Sequence, residues 1–248
     1  MTEWAVELKD VKKTYRAGPI GVPALRGINL QVAPGEFLAI AGPSGSGKTT
    51  LLNIIGGLDR ADVGEVLVEG KNLQLLSSGE LARLRLQRIG FVFQAYNLLP
   101  VLTAMENAEF TLLLQGVHVE RRKERVQKLF AEIGLANLED RRPGELSGGQ
   151  QQRVAVARAM VTEPALILAD EPTANLDSAT ATALLEVMEQ LNRAYNTTFI
   201  YSTHDPLVME RARRLIRMRD GQVASDLPHD GTGLTRKNTS ENWSTTPR

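Results

Sequence analysis

An eight-residue stretch, Gly42-Pro-Ser-Gly-Ser-Gly-Lys-Thr49, constrains this chain more than any other part of it. It follows a wholly apolar run, Phe37 to Ala41, and precedes a helical pattern from Lys48 to about Leu58. A strand, a glycine-rich turn and a helix in that order open a parallel α/β unit. The stretch fits the phosphate-loop pattern, and those flanks are the context the pattern needs. Its glycines let the backbone wrap closely around phosphate oxygens, so that successive N–H groups and the helix N-terminus converge on one anion. Lys48 can then neutralise β- and γ-phosphate charge, and the Thr49 hydroxyl can ligate magnesium. By itself such a loop does not separate kinases, GTPases, motors and transport ATPases.

Two later segments narrow the class. In Leu166-Ile-Leu-Ala-Asp170-Glu171-Pro172, a short apolar run reads as a central parallel strand covered on both faces. It delivers two carboxylates to its C-terminal end, where open α/β sheets assemble their ligand sites. Asp170 is placed to reach magnesium, directly or through water, and Glu171 to polarise an attacking water, although acids at a strand exit also serve as helix caps. In Leu146-Ser-Gly-Gly-Gln150-Gln-Gln-Arg153, a Ser and two glycines precede a helical run from Val154 to Met160. That is a second phosphate-ready helix start, about a hundred residues beyond the first.

Leu146 to Gln150 resembles the signature motif of the ATP-binding-cassette (ABC) ATPases, and other elements of that family follow in order. Tyr15 matches the aromatic that stacks on adenine, and Gln94 the glutamine between the core and the helical subdomain. Asn175-Leu-Asp177 matches the loop after the acidic strand, and His204, in Ser-Thr-His-Asp after the strand-like Phe199 to Ser202, matches the switch histidine. The resemblance covers about residues 3 to 224. It implies an α/β phosphate-loop NTPase core with a mixed sheet, an antiparallel β subdomain and an inserted helical subdomain. One ATPase domain is expected over 1–225, with its core at about 1–94 and 161–225 and the helical subdomain at about 95–160.

The resemblance also implies the chemistry. ATP and Mg2+ are expected, with nucleotide held by Tyr15, Gly42, Ser44, Gly45, Ser46, Gly47, Lys48, Thr49 and Thr50. Ser147, Gly148, Gly149, Gln150 and Asp177 are expected to close over the nucleotide of a second copy of the chain. Thr49, Gln94 and Asp170 are the expected metal contacts. Glu171 is the expected general base, with His204 and Gln94 completing the catalytic set.

Between the strand-like runs Trp4 to Leu8, Ile28 to Val32, Phe37 to Ala41 and Glu65 to Val68 and the acidic strand, the pattern changes. Apolar residues at Leu81 and Leu84, and at Val126, Leu129, Phe130 and Ile133, predict amphipathic helices from Ser78 to Met160. A helix over Ala179 to Ala194 and a strand over Thr197 to Ser202 resume the α/β alternation. Glu120-Arg-Arg-Lys-Glu-Arg125 reads as a solvated helix face with a Glu124–Lys128 pair. From Ser225 onward, Pro, Gly, Ser, Thr and Asn with a lone aromatic, Trp243, predict a flexible tail, assigned to 226–248.

Charge and composition exclude several classes. Twenty-nine basic residues balance twenty-nine acidic ones, so net charge gives no support to a nucleic-acid partner. There is no Cys, which removes disulfides, thiolate metal sites and a Cys nucleophile and fits a reducing compartment. His118, His204 and His229 are too dispersed for a local metal motif. No run of 18 apolar residues predicts a membrane span, and the first ten residues alternate like a strand rather than a signal peptide.

The chain is further similar to the branch holding lipoprotein-releasing, macrolide-exporting and cell-division ATPases. The long stretch from Arg16 to Arg26, Leu51 to Asp59, Phe93 to Pro100 and Asp170 to Asp177 carry that likeness, with Ala174 where the branch usually has Gly. The branch implies integral membrane permease partners and a peripheral position on the cytoplasmic face of the inner membrane. Its members drive either export or, through the permease, an extracytoplasmic hydrolase. A chromosome-maintenance ATPase would need a long coiled coil, and a translation-associated one usually two cassettes; neither fits one phosphate loop and one signature in 248 residues.

Overall fold

The computed structural model describes residues 4–17 and 20–228. Strands β1 (Val6–Ala17) and β2 (Ile20–Val32) form a long antiparallel pair, and β3 (Phe37–Ala41) leads through the glycine-rich turn into α1 (Lys48–Ile55). Strands β4 (Val63–Val68) and β5 (Lys71–Asn72) follow, then α2 (Ser78–Arg88) and β6 (Ile89–Val92). Three helices come next: α3 (Ala104–Leu114), α4 (Val119–Glu132) and α5 (Gly148–Met160). The chain returns through β7 (Leu166–Asp170), α6 (Ser178–Tyr195), β8 (Thr198–Thr203) and α7 (Pro206–Arg211) to a terminal pair, β9 (Arg214–Arg219) and β10 (Gln222–Pro228).

These strands make two sheets. One is antiparallel, in the order β2-β1-β4-β5; the other is mixed, in the order β10-β9-β3-β8-β7-β6. In the second, β9, β3, β8, β7 and β6 run parallel and β10 turns back against β9. The architecture is the one expected from the sequence, an α/β core with a mixed sheet, an antiparallel sheet and inserted helices. Side chains on a strand alternate faces, and β3 feeds two cores accordingly. Phe37, Ala39 and Ala41 join α3, α4, α5 and α6, whereas Leu38 and Ile40 meet α1 and the antiparallel sheet. Phe37 anchors the first core against Phe199 and Tyr201, with ring centroids 5.6 and 5.0 Å away.

The differences from the sequence reading have local causes. The stretch from Ser78 to Met160 is not wholly helical, because Ile89-Gly-Phe-Val92 pairs in parallel with β7. Gly90 permits that pairing: a Cβ there would lie 2.5 Å from the Ala159 carbonyl oxygen. Leu81 and Leu84 pack with the α1 core rather than with α3–α5. The β9–β10 hairpin adds to the expected elements; its turn, Asp220-Gly221, is a strong two-residue hairpin signal, and both residues adopt positive φ, 50° and 77°. β10 continues to Pro228, three residues past Ser225; the rest of the expected tail, with Trp243, and His229 lie outside the described residues.

The basic run on α4 is not uniformly solvated either. Arg122 turns inward to Glu109 at 3.0 Å and donates to the Val117 carbonyl at 2.8 Å. Glu124 and Lys128 are exposed and make no ion pair among the described residues. The predicted amphipathic stripe holds, with Val126, Leu129, Phe130 and Ile133 buried. Among the described residues, no helix is long and apolar enough to cross a membrane.

Candidate functional site

Helix starts in this chain differ in how their first turns are satisfied. Helices α2 and α3 begin with capping boxes, Ser77 with Glu80 and Thr103 with Glu106, whose acids complement the helix dipole. Helix α1 begins on Gly47 at φ 100°, with no side-chain cap and no acid in its first turn. Its N–H groups and positive dipole end are therefore left for an anion. Gly47 is fixed by geometry twice over, since its φ is left-handed and a Cβ would approach the Ala24 carbonyl oxygen to 2.6 Å.

The Lys48 ammonium is buried and folds back over its own loop, donating to the carbonyls of Gly42 at 2.8 Å and Pro43 at 3.2 Å. It has no carboxylate partner among the described residues, so its charge awaits an anion. The Ser46 hydroxyl is buried without a hydrogen-bond partner, a second donor in the same loop. Ser44 and Gly45 are exposed at the loop tip, and a Cβ on Gly45 would meet nothing within 4 Å.

Helix α1 and strand β7 deliver the next pair. The Thr49 hydroxyl lies 2.9 and 3.2 Å from the two Asp170 carboxylate oxygens, and Ser202 from β8 donates to the same carboxylate. Beside it, Glu171 turns out of the strand at φ 48°. A left-handed non-glycine residue of this kind costs about 1–2 kcal/mol. Its N–H is held by the Ser202 carbonyl and hydroxyl, both at 3.2 Å. The Glu171 carboxylate meets His204 Nδ1 at 2.9 Å through both oxygens. With its proton on Nδ1 the imidazole donates to the carboxylate and holds it as an acceptor, the state a proton-abstracting group needs.

The other expected residues sit on surrounding elements. Tyr15 on β1 lies opposite Val22, is 42% exposed, and carries the Lys13 ammonium 5.2 Å from its ring centroid. Its hydroxyl donates to Asp59 at 2.7 Å. Burial pushes that phenol up, Asp59 adds to the rise, and Thr50 on α1 opposes it. Gln94 is exposed at the bend after β6, its carbonyl accepting from the Asn175 amide at 3.0 Å. Asp177 caps α6, accepting from the N–H groups of Ala179 and Thr180 at 3.1 and 3.0 Å and from the Thr180 hydroxyl at 2.6 Å.

The signature opens α5 with a third box, Ser147 with Gln150, in which a neutral amide replaces the acid of α2 and α3. The first turn of α5 carries no acidic residue, so its dipole, like that of α1, is uncompensated. Within the chain the two cradles do not meet. The atoms nearest a Cβ at Gly148 or Gly149 belong to Tyr96, Leu176 and Thr180, not to the phosphate loop. At Gly149 that Cβ would stand 2.3 Å from the Thr180 methyl. Thr180 cannot rotate away without losing its bond to Asp177. Gly149→Ala is therefore expected to cost about 1–3 kcal/mol, checked by urea unfolding.

Several contributors carry no signal of their own in the sequence. Ser202, Asp59, Lys13 and Tyr96 are ordinary residues in sequence, and only folding sets them against Asp170, Tyr15 and Gly148. Ser202 on β8 is the register partner of Asp170 on β7, a relation that only the strand pairing supplies.

Known proteins resemble this chain closely. The family model described as "ABC transporter" matches residues 25–174. The macrolide export ATP-binding/permease protein MacB of Syntrophobacter fumaroxidans is 50% identical over 220 residues, which cover 88% of this chain and 31% of that protein. The chain thus spans about a third of the length of that relative. The lipoprotein-releasing system ATP-binding protein LolD of Anaeromyxobacter dehalogenans is 45% identical over 229 residues, 92% of this chain and 96% of that protein. Among solved structures, the ATP-binding cassette MJ0796, a dimer in a post-hydrolysis state bound to ADP and Pi, matches with a TM-score of 0.83 at 42% identity. That match covers 90% of this chain and 98% of the other. With the family model spanning more than half of its residues and a solved cassette matching most of the rest, the chain belongs to the ABC transporter family of ATPases.

Proposed function

We propose that two copies of this chain clasp two ATP molecules between them, hydrolyse them, and so drive a membrane permease of the lipoprotein-releasing or macrolide-export type. The observation that carries this reading is the pair of acid-free helix starts, at α1 and α5, that one chain keeps apart. Each is half of an anion site, and a second copy related by two-fold symmetry supplies the missing half twice. The dimeric, nucleotide-bound state of MJ0796 supports the same arrangement.

In this reading Tyr15 receives the adenine, and Gly42, Ser44 to Gly47 and Thr50 wrap the phosphates. The Lys48 ammonium leaves the Gly42 and Pro43 carbonyls for β- and γ-oxygens, a stronger charge-assisted partner. Thr49 and Asp170 present hard oxygen donors, and among the described residues no group of three His, Cys, Asp or Glu residues is arranged to hold a metal ion by itself. Such a donor set suits Mg2+, which keeps phosphate and water oxygens for its other positions, with Gln94 within the expected set. Bound there, the ion would neutralise charge on the phosphates. Glu171 takes the proton of the attacking water, and His204, already on that carboxylate, orients it. From the other copy, Ser147, Gly148, Gly149 and Gln150 meet the γ-phosphate, and Asp177 joins the two sites. Loss of that phosphate removes the charge the second cradle grips, so the pair opens.

We place the whole working unit within residues 1–225, with the helices of 95–160 as the part that moves against the core. Its likeness to that branch supports a position on the cytoplasmic face of the membrane, held there by its permease. Affinity purification of the tagged chain from detergent-solubilised membranes is expected to bring down an integral membrane protein with a large extracytoplasmic domain. Recovery of the chain with no membrane protein from cells that express it would refute the transport role.

A further inference from the structure

Three consecutive glutamines follow Gly149, and they do three different things. On a helix each residue is turned about 100° from the last, so the three side chains leave in three directions. The Gln150 carbonyl oxygen accepts from the Ser147 N–H at 2.9 Å and completes the capping box. The Gln151 amide donates back to the Leu146 carbonyl at 3.1 Å. Gln152 points into the protein and is fully buried. Its amide nitrogen donates to the Pro172 carbonyl at 2.8 Å and to the Phe93 carbonyl at 3.3 Å.

Those two carbonyls flank the chemistry. Phe93 immediately precedes Gln94, and Pro172 immediately follows Glu171. Both lie just past the ends of β6 and β7, which are neighbours in the sheet. An amide NH2, with two hydrogens on one nitrogen, serves two carbonyls from one point without bringing a charge into the core. The Gln152 carbonyl oxygen meanwhile is buried with no donor. An apolar side chain of the same length would fill the space without that penalty, so packing does not explain a glutamine here. The same helix holds the Gln94 segment again further on, where Arg158 donates to the Tyr96 and Asn97 carbonyls at 2.9 and 2.5 Å.

We propose that Gln152 is a positioning residue that ties the turn bearing Gln94 and the turn bearing Glu171 to the signature helix, fixing their separation and passing movement of α5 to both. The inference rests on the catalytic roles proposed above for Glu171 and Gln94. It makes the second cradle more than a cover for a partner's nucleotide: displacement of α5 in one copy alters the geometry of that copy's own base.

The test is steady-state ATP hydrolysis by Gln152→Met, which keeps length and loses both donors. Misplacement of reacting groups costs on the order of tenfold to a hundredfold, so kcat is expected to fall by that factor. KM for ATP and ADP affinity are expected to stay within about twofold, because the phosphate loop is untouched. The unfolding midpoint is expected to change little, because removal of the unpaired Gln152 oxygen offsets the donor lost to the Phe93 and Pro172 carbonyls. Gln152→Glu gives a second readout: its carboxyl can donate only when protonated, so its kcat relative to wild type should rise as pH falls. A kcat for Gln152→Met within about twofold of wild type would overturn the proposal. So would a fall in kcat accompanied by weakened ADP binding and a lowered unfolding midpoint, or a flat pH ratio for Gln152→Glu. Glu171→Gln measured alongside separates the two claims. Wild-type turnover there defeats the site reading, whereas an inactive Glu171→Gln with a normal Gln152→Met defeats only the positioning role.

Discussion

Glu171→Gln is expected to lower ATP turnover by roughly 10²- to 10⁴-fold, the range general-base catalysis supplies, while ATP still binds. The substitution keeps the volume and the His204 contact but removes the proton acceptor. Nothing that grips phosphate changes, since Lys48, Thr49 and the two helix starts are untouched. Two chains should therefore close on ATP and stay closed. Light scattering on the variant with Mg2+ and ATP should report a doubled molar mass that persists, whereas wild type returns to its starting mass as ATP is consumed. A variant that turns over normally would remove Glu171 from the role assigned to it.

Ser147→Arg should abolish hydrolysis, by about 10²-fold or more, without weakening nucleotide binding to the single chain. Loss of the Ser147 cap costs about 1 kcal/mol, too little to unfold a domain of this size. The Arg side chain is expected to fill the anion half-site proposed for the signature. Lys48→Ala should be inactive for the opposite reason, having lost the cation of the phosphate loop. Mixed in equal amounts, the two inactive chains are expected to recover activity. Half of the dimers then carry one wholly native site, so the rate should approach about a quarter of wild type. A mixture as inactive as its components would show that each chain builds its site alone, and loss of ATP binding by Ser147→Arg monomer would point the same way.

Much of this molecule was legible as text because its functional parts are local. A cradle made from backbone N–H groups needs particular residue types at fixed spacing, and Gly42 to Thr49 and Leu146 to Gln150 provide them. The capping boxes at Ser77, Thr103 and Ser147 are equally local, each joining residues three apart. Residue 89 to 92 is the contrasting case: four residues are too few for a period to register, and their strand character comes from β7 alongside. The expected role of Asp177 in joining two sites also gains a local duty, since its carboxylate is already engaged by Thr180.

The sequence alone determined the family, the two helix starts without an acid in their first turn and the carboxylates at the end of a buried strand, because each is written in a few neighbouring residues. Tertiary structure alone decided which groups act together. Ser202 steadies Asp170 from a different strand, Asp59 fixes Tyr15 across 44 residues, and Gln152 bridges two turns 59 and 20 residues away. Contacts at such separations depend on the register of strands and the rotation of a helix, and both are set by the packing of the whole core rather than by any short run of residues.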